Sequence, residues 1–197
     1  MIILGLTGGI GMGKSTTAGL FSERGIPVFD SDAEVHALYL PGEAGSRQIG
    51  AWRPDCLDVS GGVDRARLSE HLNRHPEDFK QLEEIIHPLV SQRRDDFLAT
   101  AKHEGHQIVI FDIPLLFETG ADALVDRIVV VSAEDSIRRK RVLARPGMTQ
   151  EKLDTIISRQ SSDDFKRSKA DYIIDTDRGV DHARKQVDTL LESLLNT

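Results

Sequence analysis

A glycine-rich segment near the N-terminus has the composition and spacing of a phosphate-binding loop. Residues 8–15 read GGIGMGKS and match the pattern G-x-x-x-x-G-K-[S/T]. Glycines let backbone N–H groups point at phosphates, the lysine reaches the β- and γ-phosphates, and the hydroxyl binds Mg²⁺. The alternative, a glycine-rich turn that merely starts a helix, is disfavoured because the segment lies between a predicted strand and a predicted helix. The predicted nucleotide-binding residues are Gly8, Gly9, Gly11, Met12, Gly13, Lys14 and Ser15, with Ser15 also at the metal.

A second group of residues that could take part in catalysis directly follows an apolar segment. It is Asp30-Ser31-Asp32. A carboxylate at the carboxyl end of a strand could accept the proton of an acceptor hydroxyl while that oxygen attacks phosphorus. The alternative is a helix N-cap, which Ser31 or Asp32 could also supply. Beside a phosphate-binding loop, the catalytic interpretation is favoured.

A third acidic candidate, Asp112, ends another apolar run. A carboxylate at this place would bind Mg²⁺ directly or through water in many nucleotide-binding proteins. Many aspartates at strand ends are only caps or turn formers, so this alternative stays open.

Four consecutive basic residues, Arg138 to Arg141, are followed by Arg145. Helical spacing would put Arg138, Arg141 and Arg145 roughly on one face, and a solvated basic face is the usual meaning of such a run. Phosphoryl transfer, however, needs cations on the transferring group and the exclusion of water. We therefore favour a mobile, arginine-bearing lid with a turn at Pro146-Gly147.

Apolar runs beside these residues predict the elements that position them. Nearly continuous β-branched runs are typical of strands buried on both faces of a parallel sheet. Their alternation with helical segments predicts an α/β fold of the P-loop NTPase type, a parallel sheet flanked by helices. The predicted strands cover residues 2–7, 26–29, 107–112, 127–131 and 172–174, with helices from Lys14 and near 180–195.

Two long intervals contain no comparable strand and have helical patterns. We predict that residues 33–105 form a helical acceptor-binding insertion and that residues 135–168 form the lid. Within the insertion, a helix from Phe79 to Ile86 is expected to end at His87-Pro88, because proline is a helix stop signal. The nucleotide-binding core would then comprise residues 1–32, 106–134 and 169–197.

Bulk composition restricts the class of partner. The chain has 197 residues, a formal net charge of -7 and one cysteine, Cys56. Basic and acidic residues are mixed along the chain, so the sequence shows no cluster of basic residues that would bind nucleic acid. One cysteine excludes an internal disulfide framework. Thr7, Gly8 and Gly9 interrupt the first apolar run before it reaches the length of a signal peptide or membrane span. We expect a cytoplasmic protein with small-molecule substrates, no membrane or nucleic-acid partner, and a monomeric or small homo-oligomeric state.

A phosphate-binding loop alone does not separate kinases from GTPases or motor ATPases. Guanine recognition commonly uses an Asn-Lys-x-Asp motif, and neither Asn73 nor Asn196 is followed by Lys-x-Asp. The chain is also short for a motor or an assembly ATPase. These features favour a small-molecule kinase.

Several blocks of the sequence resemble those of the dephospho-CoA kinase family. The opening GLTGGIGMGKST is similar almost throughout, with Met12 where serine is usual, and the spacing to DSD at 30–32 is similar too. Further blocks in the family's order are LEEIIHP at 82–88, DIPLLFE at 112–118, Arg141-x-x-x-Arg145, Arg159-Gln160 and Ala170-Asp171. The resemblance therefore extends along most of the chain.

This resemblance implies transfer of a phosphoryl group from ATP, with Mg²⁺, to the ribose 3′-hydroxyl of dephospho-CoA, the last step of CoA biosynthesis. It implies Asp32 as the general base, and Lys14 and Arg141 as catalytic cations at the phosphates. Residues Gly11 to Thr16 would wrap the ATP, with Thr16 and Arg145 among its contacts. The acceptor side would include Asp32, His87, Leu115, Leu116, Phe117 and Glu118.

Three positions depart from the family pattern. The family often carries arginine four residues after the second aspartate, where this chain has His36. Arg138 replaces the usual glutamine of the lid block, and Thr176 stands where asparagine is common.

Two other functions stay open beside the dephospho-CoA kinase reaction. Another small-molecule kinase, for a nucleoside or a nucleotide, would share the fold but not the blocks after Asp112. A nucleotide-dependent switch would bind nucleotide without phosphorylating an acceptor, and it would leave Asp32 without a purpose. A substrate panel distinguishes these functions.

Overall fold

A five-stranded parallel sheet organises the computed structural model, which describes residues 1–196. The strands lie in the order β2-β3-β1-β4-β5, with parallel pairing of β1 with β3 and β4 and of β4 with β5. The predicted parallel sheet is confirmed. The strands are β1 (Ile2–Thr7), β2 (Val28–Asp30), β3 (Ile108–Asp112), β4 (Arg127–Ser132) and β5 (Tyr172–Asp175).

The second strand begins two residues later than the predicted start at residue 26. Pro27 precedes it and has no N–H group to donate to a neighbouring strand. Its carbonyl still accepts a hydrogen bond from the Ile110 N–H at 2.9 Å, so the chain already runs beside β3 at this point.

Nine α-helices accompany the sheet within residues 1–196. None of the helices in this described part is long and apolar enough to cross a membrane. The helices are α1 (Lys14–Ser22), α2 (Ser31–Leu38), α3 (Ala44–Trp52), α4 (Arg65–Arg74), α5 (Phe79–His103), α6 (Asp135–Leu143), α7 (Gln150–Ser158), α8 (Asp163–Lys169) and α9 (Val180–Leu195).

The chain divides into two compact units. The sheet unit comprises Met1–Phe29 together with the residues from Ala101 onward, and the helical unit comprises Asp30–Thr100. In the sheet unit, apolar side chains of the strands pack with those of α1 and α9. Its buried core is formed by Leu4, Leu6, Ala18, Leu20, Phe21, Ile108, Ile110, Val129, Val131, Ile174, Ala183, Val187, Leu190 and Leu191.

The helical unit has an apolar core of its own. Between Asp30 and Thr100 the only strand residues are the end of β2 and an isolated bridge between Leu57 and Val63. Its buried core residues come from α3, α4, α5 and the segment between them: Ile49, Cys56, Val63, Leu68, Leu72, Ile85 and Ile86.

The predicted end of a helix at His87-Pro88 is wrong. Helix α5 runs without a break from Phe79 to His103, and Pro88 lies inside it. Proline removes one backbone hydrogen bond and costs about 3 kcal/mol in a helix interior. Ile85, Ile86 and Val90 on both sides of Pro88 pack on the helical unit's core, and this tertiary packing outweighs the local cost.

Candidate functional site

The glycine-rich loop connects β1 to α1, and the local geometry requires glycine at Gly8 and at Gly13. A Cβ atom added at Gly8 would lie 2.6 Å from the carbonyl oxygen of Val131, a distance that real Cβ atoms do not show. Gly13 has a φ of 96° and caps α1 without a side-chain hydrogen bond. The N–H groups of the first turn therefore stay available to an anion, which the positive end of the helix also attracts.

Lys14 and Asp112 meet at the carboxyl end of the sheet. Lys14 is the first residue of α1, and Asp112 is the last residue of β3, the strand that pairs with β1. The Lys14 ammonium forms an ion pair with the Asp112 carboxylate, and the two side chains are 14% and 2% exposed. The structure thus joins two residues that are 98 positions apart in the sequence.

A cavity of about 260 Å³ opens beside this loop within the sheet unit. Ser15 and Thr16, in the first turn of α1, are exposed. The cavity brings loop residues together with the basic segment and the segment after β5. Its lining residues are Gly11, Gly13, Thr16, Thr17, Arg141, Arg145, Thr176, Gly179, Val180 and Ala183.

The prediction that Arg138, Arg141 and Arg145 share a helical face is wrong for Arg145. Helix α6 ends at Leu143, and the Met148 N–H donates to the Arg145 carbonyl in the turn that follows. Pro146 disfavours helical geometry at the preceding residue, which explains the early end. Arg145 nevertheless lines the same cavity as Arg141.

Thr176 holds Arg141 and the loop together. The Arg141 guanidinium donates to the Thr176 hydroxyl at 2.8 Å and to its carbonyl at 2.7 Å. The same hydroxyl donates to the Met12 carbonyl at 2.8 Å, and Thr176 is 6% exposed. In the sequence, Thr176 stands out only as a departure from the family pattern, because no local signal connects it to Arg141.

The segment after β3 combines exposed, buried and paired side chains. Leu115 is exposed, whereas Leu116 is fully buried in the core. Phe117 contacts Phe165 of α8 edge to face, with ring centroids 5.5 Å apart. The three neighbouring residues therefore differ in exposure and in contacts, although the family resemblance implies that all of them belong to the acceptor side.

The Glu118 carboxylate has two partners near the start of α8. It accepts a hydrogen bond from the Ser161 N–H at 2.7 Å and lies 3.0 Å from the Lys166 ammonium, whose side chain is 1% exposed. Burial favours the neutral acid, but the Ser161 N–H and the Lys166 ammonium outweigh it, so the pKa of Glu118 is lowered. Glu118 is thus ionised at neutral pH and anchors α8.

The helical unit presents Asp32 and His87 on helix surfaces. The Asp30 carboxylate caps α2 by accepting a hydrogen bond from the Ala33 N–H at 2.9 Å. Asp32 is the second residue of α2 and is exposed, so the capping role that the sequence left open falls to Asp30. His87 is exposed on α5, and His36 is exposed in the last turn of α2.

A parallel sheet with a glycine-rich loop between β1 and α1, and with a lysine and an aspartate paired at the loop, defines the class of P-loop nucleotide-binding proteins. The family model described as Dephospho-CoA kinase matches residues 2–182. The chain belongs to the dephospho-CoA kinase family, which confirms the resemblance.

Similar proteins agree with this assignment. A protein of Agrobacterium fabrum named Dephospho-CoA kinase is 51% identical over 194 residues, which are 98% of each chain. The crystal structure of TT1252 from Thermus thermophilus has a TM-score of 0.84 at 29% identity and covers 98% of this chain and 96% of its own. The structure of a dephospho-CoA kinase from Campylobacter jejuni, with the same coverages, has a TM-score of 0.73 at 21% identity and supports the fold.

Proposed function

We propose that the chain transfers the γ-phosphoryl group of ATP to the ribose 3′-hydroxyl of dephospho-CoA, giving ADP and CoA. The activity follows from membership of the dephospho-CoA kinase family. One observation best supports the location of the active site. It is the Lys14–Asp112 ion pair beside the glycine-rich loop and the 260 Å³ cavity.

The sheet unit supplies the groups that bind ATP. N–H groups from Gly8 to Thr16 would surround the phosphates, with Lys14 exchanging its Asp112 partner for phosphate oxygens. Arg141 and Arg145 line the cavity and would neutralise the charge of the bound nucleotide. Because an arginine stays protonated at all physiological pH values, this stabilisation does not depend on pH.

The side-chain oxygen atoms of Ser15 and Asp112 are of the kind that magnesium ions prefer as ligands. No group of three or more histidine, cysteine or acidic side chains that could hold a metal occurs within residues 1–196. Magnesium in kinases is commonly held by one or two protein oxygen ligands together with substrate phosphates. Ser15 and Asp112 would be those ligands, and Mg²⁺ would neutralise charge on the phosphates.

Asp32 would act as the general base toward the acceptor hydroxyl. Its carboxylate is exposed and is not the cap of α2, because Asp30 has that role. His87, Leu115, Leu116, Phe117 and Glu118 would form the acceptor side, either by contact or by supporting residues that make contact. For Leu116 and Glu118, burial and ion pairing favour the supporting role.

The proposed domain roles have boundaries that differ by a few residues from those of the two compact units, and the proposed lid lies within the sheet unit. Residues 1–32, 106–134 and 169–197 would form the nucleotide-binding core, residues 33–105 the acceptor-binding insertion, and residues 135–168 the lid. We also propose a cytoplasmic location and a monomeric or small homo-oligomeric state, with ATP and dephospho-CoA as small-molecule substrates.

A coupled assay of ADP release with ATP, Mg²⁺ and dephospho-CoA tests the function, with mass detection of CoA. CoA formation that requires the acceptor is the expected result. ADP release without an acceptor would indicate an ATPase or a switch. Turnover of a nucleoside monophosphate in preference to dephospho-CoA would reassign the acceptor.

A further inference from the structure

Gln160 connects the segment between α7 and α8 to the glycine-rich loop. Its side-chain oxygen Oε1 accepts a hydrogen bond from the backbone N–H of Ile10 at 3.1 Å. An amide side chain has only its oxygen to offer to an N–H donor, so this contact also determines the orientation of the amide group. Among the described residues, Gln160 does not line the 260 Å³ cavity.

The residues after Gln160 are fixed to the sheet unit. The Ser161 N–H donates to Glu118 at 2.7 Å. The Ser132 hydroxyl, at the end of β4, donates to Asp163 at 2.7 Å. The segment after β3 and the end of β4 therefore hold these residues, and Gln160 extends toward the loop from an anchored position.

The contact at Ile10 is one of several that hold the loop, because the Thr176 hydroxyl also donates to the Met12 carbonyl at 2.8 Å. Ile10 stands between Gly9 and Gly11, and the Met12 N–H closes a turn by donating to the Gly9 carbonyl at 3.2 Å. Glycines have the largest conformational freedom of all residues, so a hydrogen bond at Ile10, between Gly9 and Gly11, restricts the backbone where its own residues restrict it least. A Cβ atom added at Gly9 would lie 3.4 Å from Gln160 Oε1, which shows how closely the amide approaches the loop.

We infer that Gln160 is a positioning residue, which acts through the Ile10 peptide to hold the first turn of the loop in its phosphate-binding conformation. This inference rests on the proposed function of the loop. Gln160 borders a separate polar cavity of about 30 Å³ with Gly9 and Met12, so it reaches the loop from a side other than the 260 Å³ cavity. Its replacement therefore changes phosphate binding by preorganisation, without removing a contact to the nucleotide.

Two variants test this role. Gln160→Met keeps the length of the side chain and removes the acceptor oxygen, whereas Gln160→Asn stays polar but is one methylene too short. We expect both to raise the dissociation constant of ADP, measured by calorimetry, roughly tenfold, which is the scale of one hydrogen bond of ordinary net strength. The KM for ATP should rise by a similar factor. The KM for dephospho-CoA should stay within about twofold of the wild-type value, because Ile10 belongs to the nucleotide-binding loop and not to the proposed acceptor side.

Gln150→Met is the matched control. Gln150 lies at the start of α7 in the same region, is exposed, and its amide donates to Asp154 within that helix. ADP affinity within twofold of wild type in both Gln160 variants would overturn the inference. So would an equal rise in the KM values for ATP and dephospho-CoA, which is the result of a merely structural defect. If the wild-type chain binds ADP but does not phosphorylate dephospho-CoA, the proposed function fails while the ADP measurement still decides the role of Gln160.

Discussion

The sheet unit and the helical unit hold their candidate functional residues by different means. In the sheet unit, Lys14 is paired with Asp112, and Arg141 is bound to Thr176. In the helical unit, Asp32 and His87 occupy exposed positions on α2 and α5. The first set depends on contacts between distant segments, and the second depends on helix geometry alone.

This difference predicts how function and stability are related in each unit. A buried contact that orients a phosphate-binding group also stabilises the fold, so a substitution there changes both properties. An exposed side chain contributes little to the free energy of unfolding, so its replacement should change catalysis or binding without changing stability. The comparison can be tested with substitutions of decreasing expected effect.

The largest effect is expected for Lys14→Met. Removal of the ammonium group should lower kcat/KM for ATP by about a thousandfold, the scale of losing a main electrostatic contact to a reacting group. It should also lower the free energy of unfolding by about 3 kcal/mol, because the buried Asp112 carboxylate loses its ion pair with Lys14. CoA formation and urea denaturation measure the two effects.

Lys185→Met, at an exposed position of α9, serves as the control for Lys14→Met. Loss of activity at unchanged stability would break the link between function and stability that we assign to the sheet unit.

Asp32→Asn should lower kcat by about a hundredfold, the usual scale for a general base. The affinity for ATP and the free energy of unfolding should stay within about 0.5 kcal/mol of wild type, because the side chain is exposed. Rapid-quench kinetics, calorimetry and urea denaturation give these three values.

The neighbouring substitution Asp30→Asn is the control for Asp32. Asparagine caps a helix about as well as aspartate, so α2 should stay intact and the rate should be retained. A larger loss of rate in Asp30→Asn than in Asp32→Asn would transfer the role of base to Asp30.

Thr176→Val should lower kcat/KM for ATP about tenfold. The substitution removes the hydroxyl that accepts from Arg141 and donates to the Met12 carbonyl, at nearly the same side-chain volume. Thr176→Ser keeps the hydroxyl and should retain most of the activity. Equal activity of the two variants would show that the backbone carbonyl of Thr176 alone orients Arg141.

The smallest effect on activity is expected for Glu118→Gln, which should change the pH dependence of stability. The pKa of Glu118 is below its ordinary value of 4.5 in the folded protein. Its ionisation therefore stabilises the fold above about pH 4.5, and this stabilisation is lost as the pH falls through the lower, folded-state pKa. Near neutral pH the variant should be less stable by about 1 kcal/mol, and the difference should shrink in acid.

Urea denaturation at neutral and acidic pH measures the effect of Glu118→Gln. Glu192→Gln, at an exposed position of α9, is the control. A stability difference that is constant with pH would mean that the charge of Glu118 does not contribute.

The parallel sheet was predictable because its signals are local and strong. Apolar β-branched runs gave four strands to within one residue at each end, and the glycine-rich loop lies between a strand and a helix as expected. Two errors, at Pro88 and at Arg145, concern where helices end, and a third concerns the start of β2. Pro88 is tolerated because Ile85, Ile86 and Val90 pack on the helical unit's core, and a local stop signal carries no information about such packing.

The sequence by itself determined the family, the phosphate-binding loop and the identity of its lysine, because these depend on residue type and spacing along the chain. Only the tertiary structure decided which partners hold those residues. The contacts of Asp112 with Lys14 and of Gln160 with Ile10 join positions 98 and 150 residues apart. Such contacts arise from the order of strands in the sheet and the packing of helices around it, which no local pattern of residues encodes.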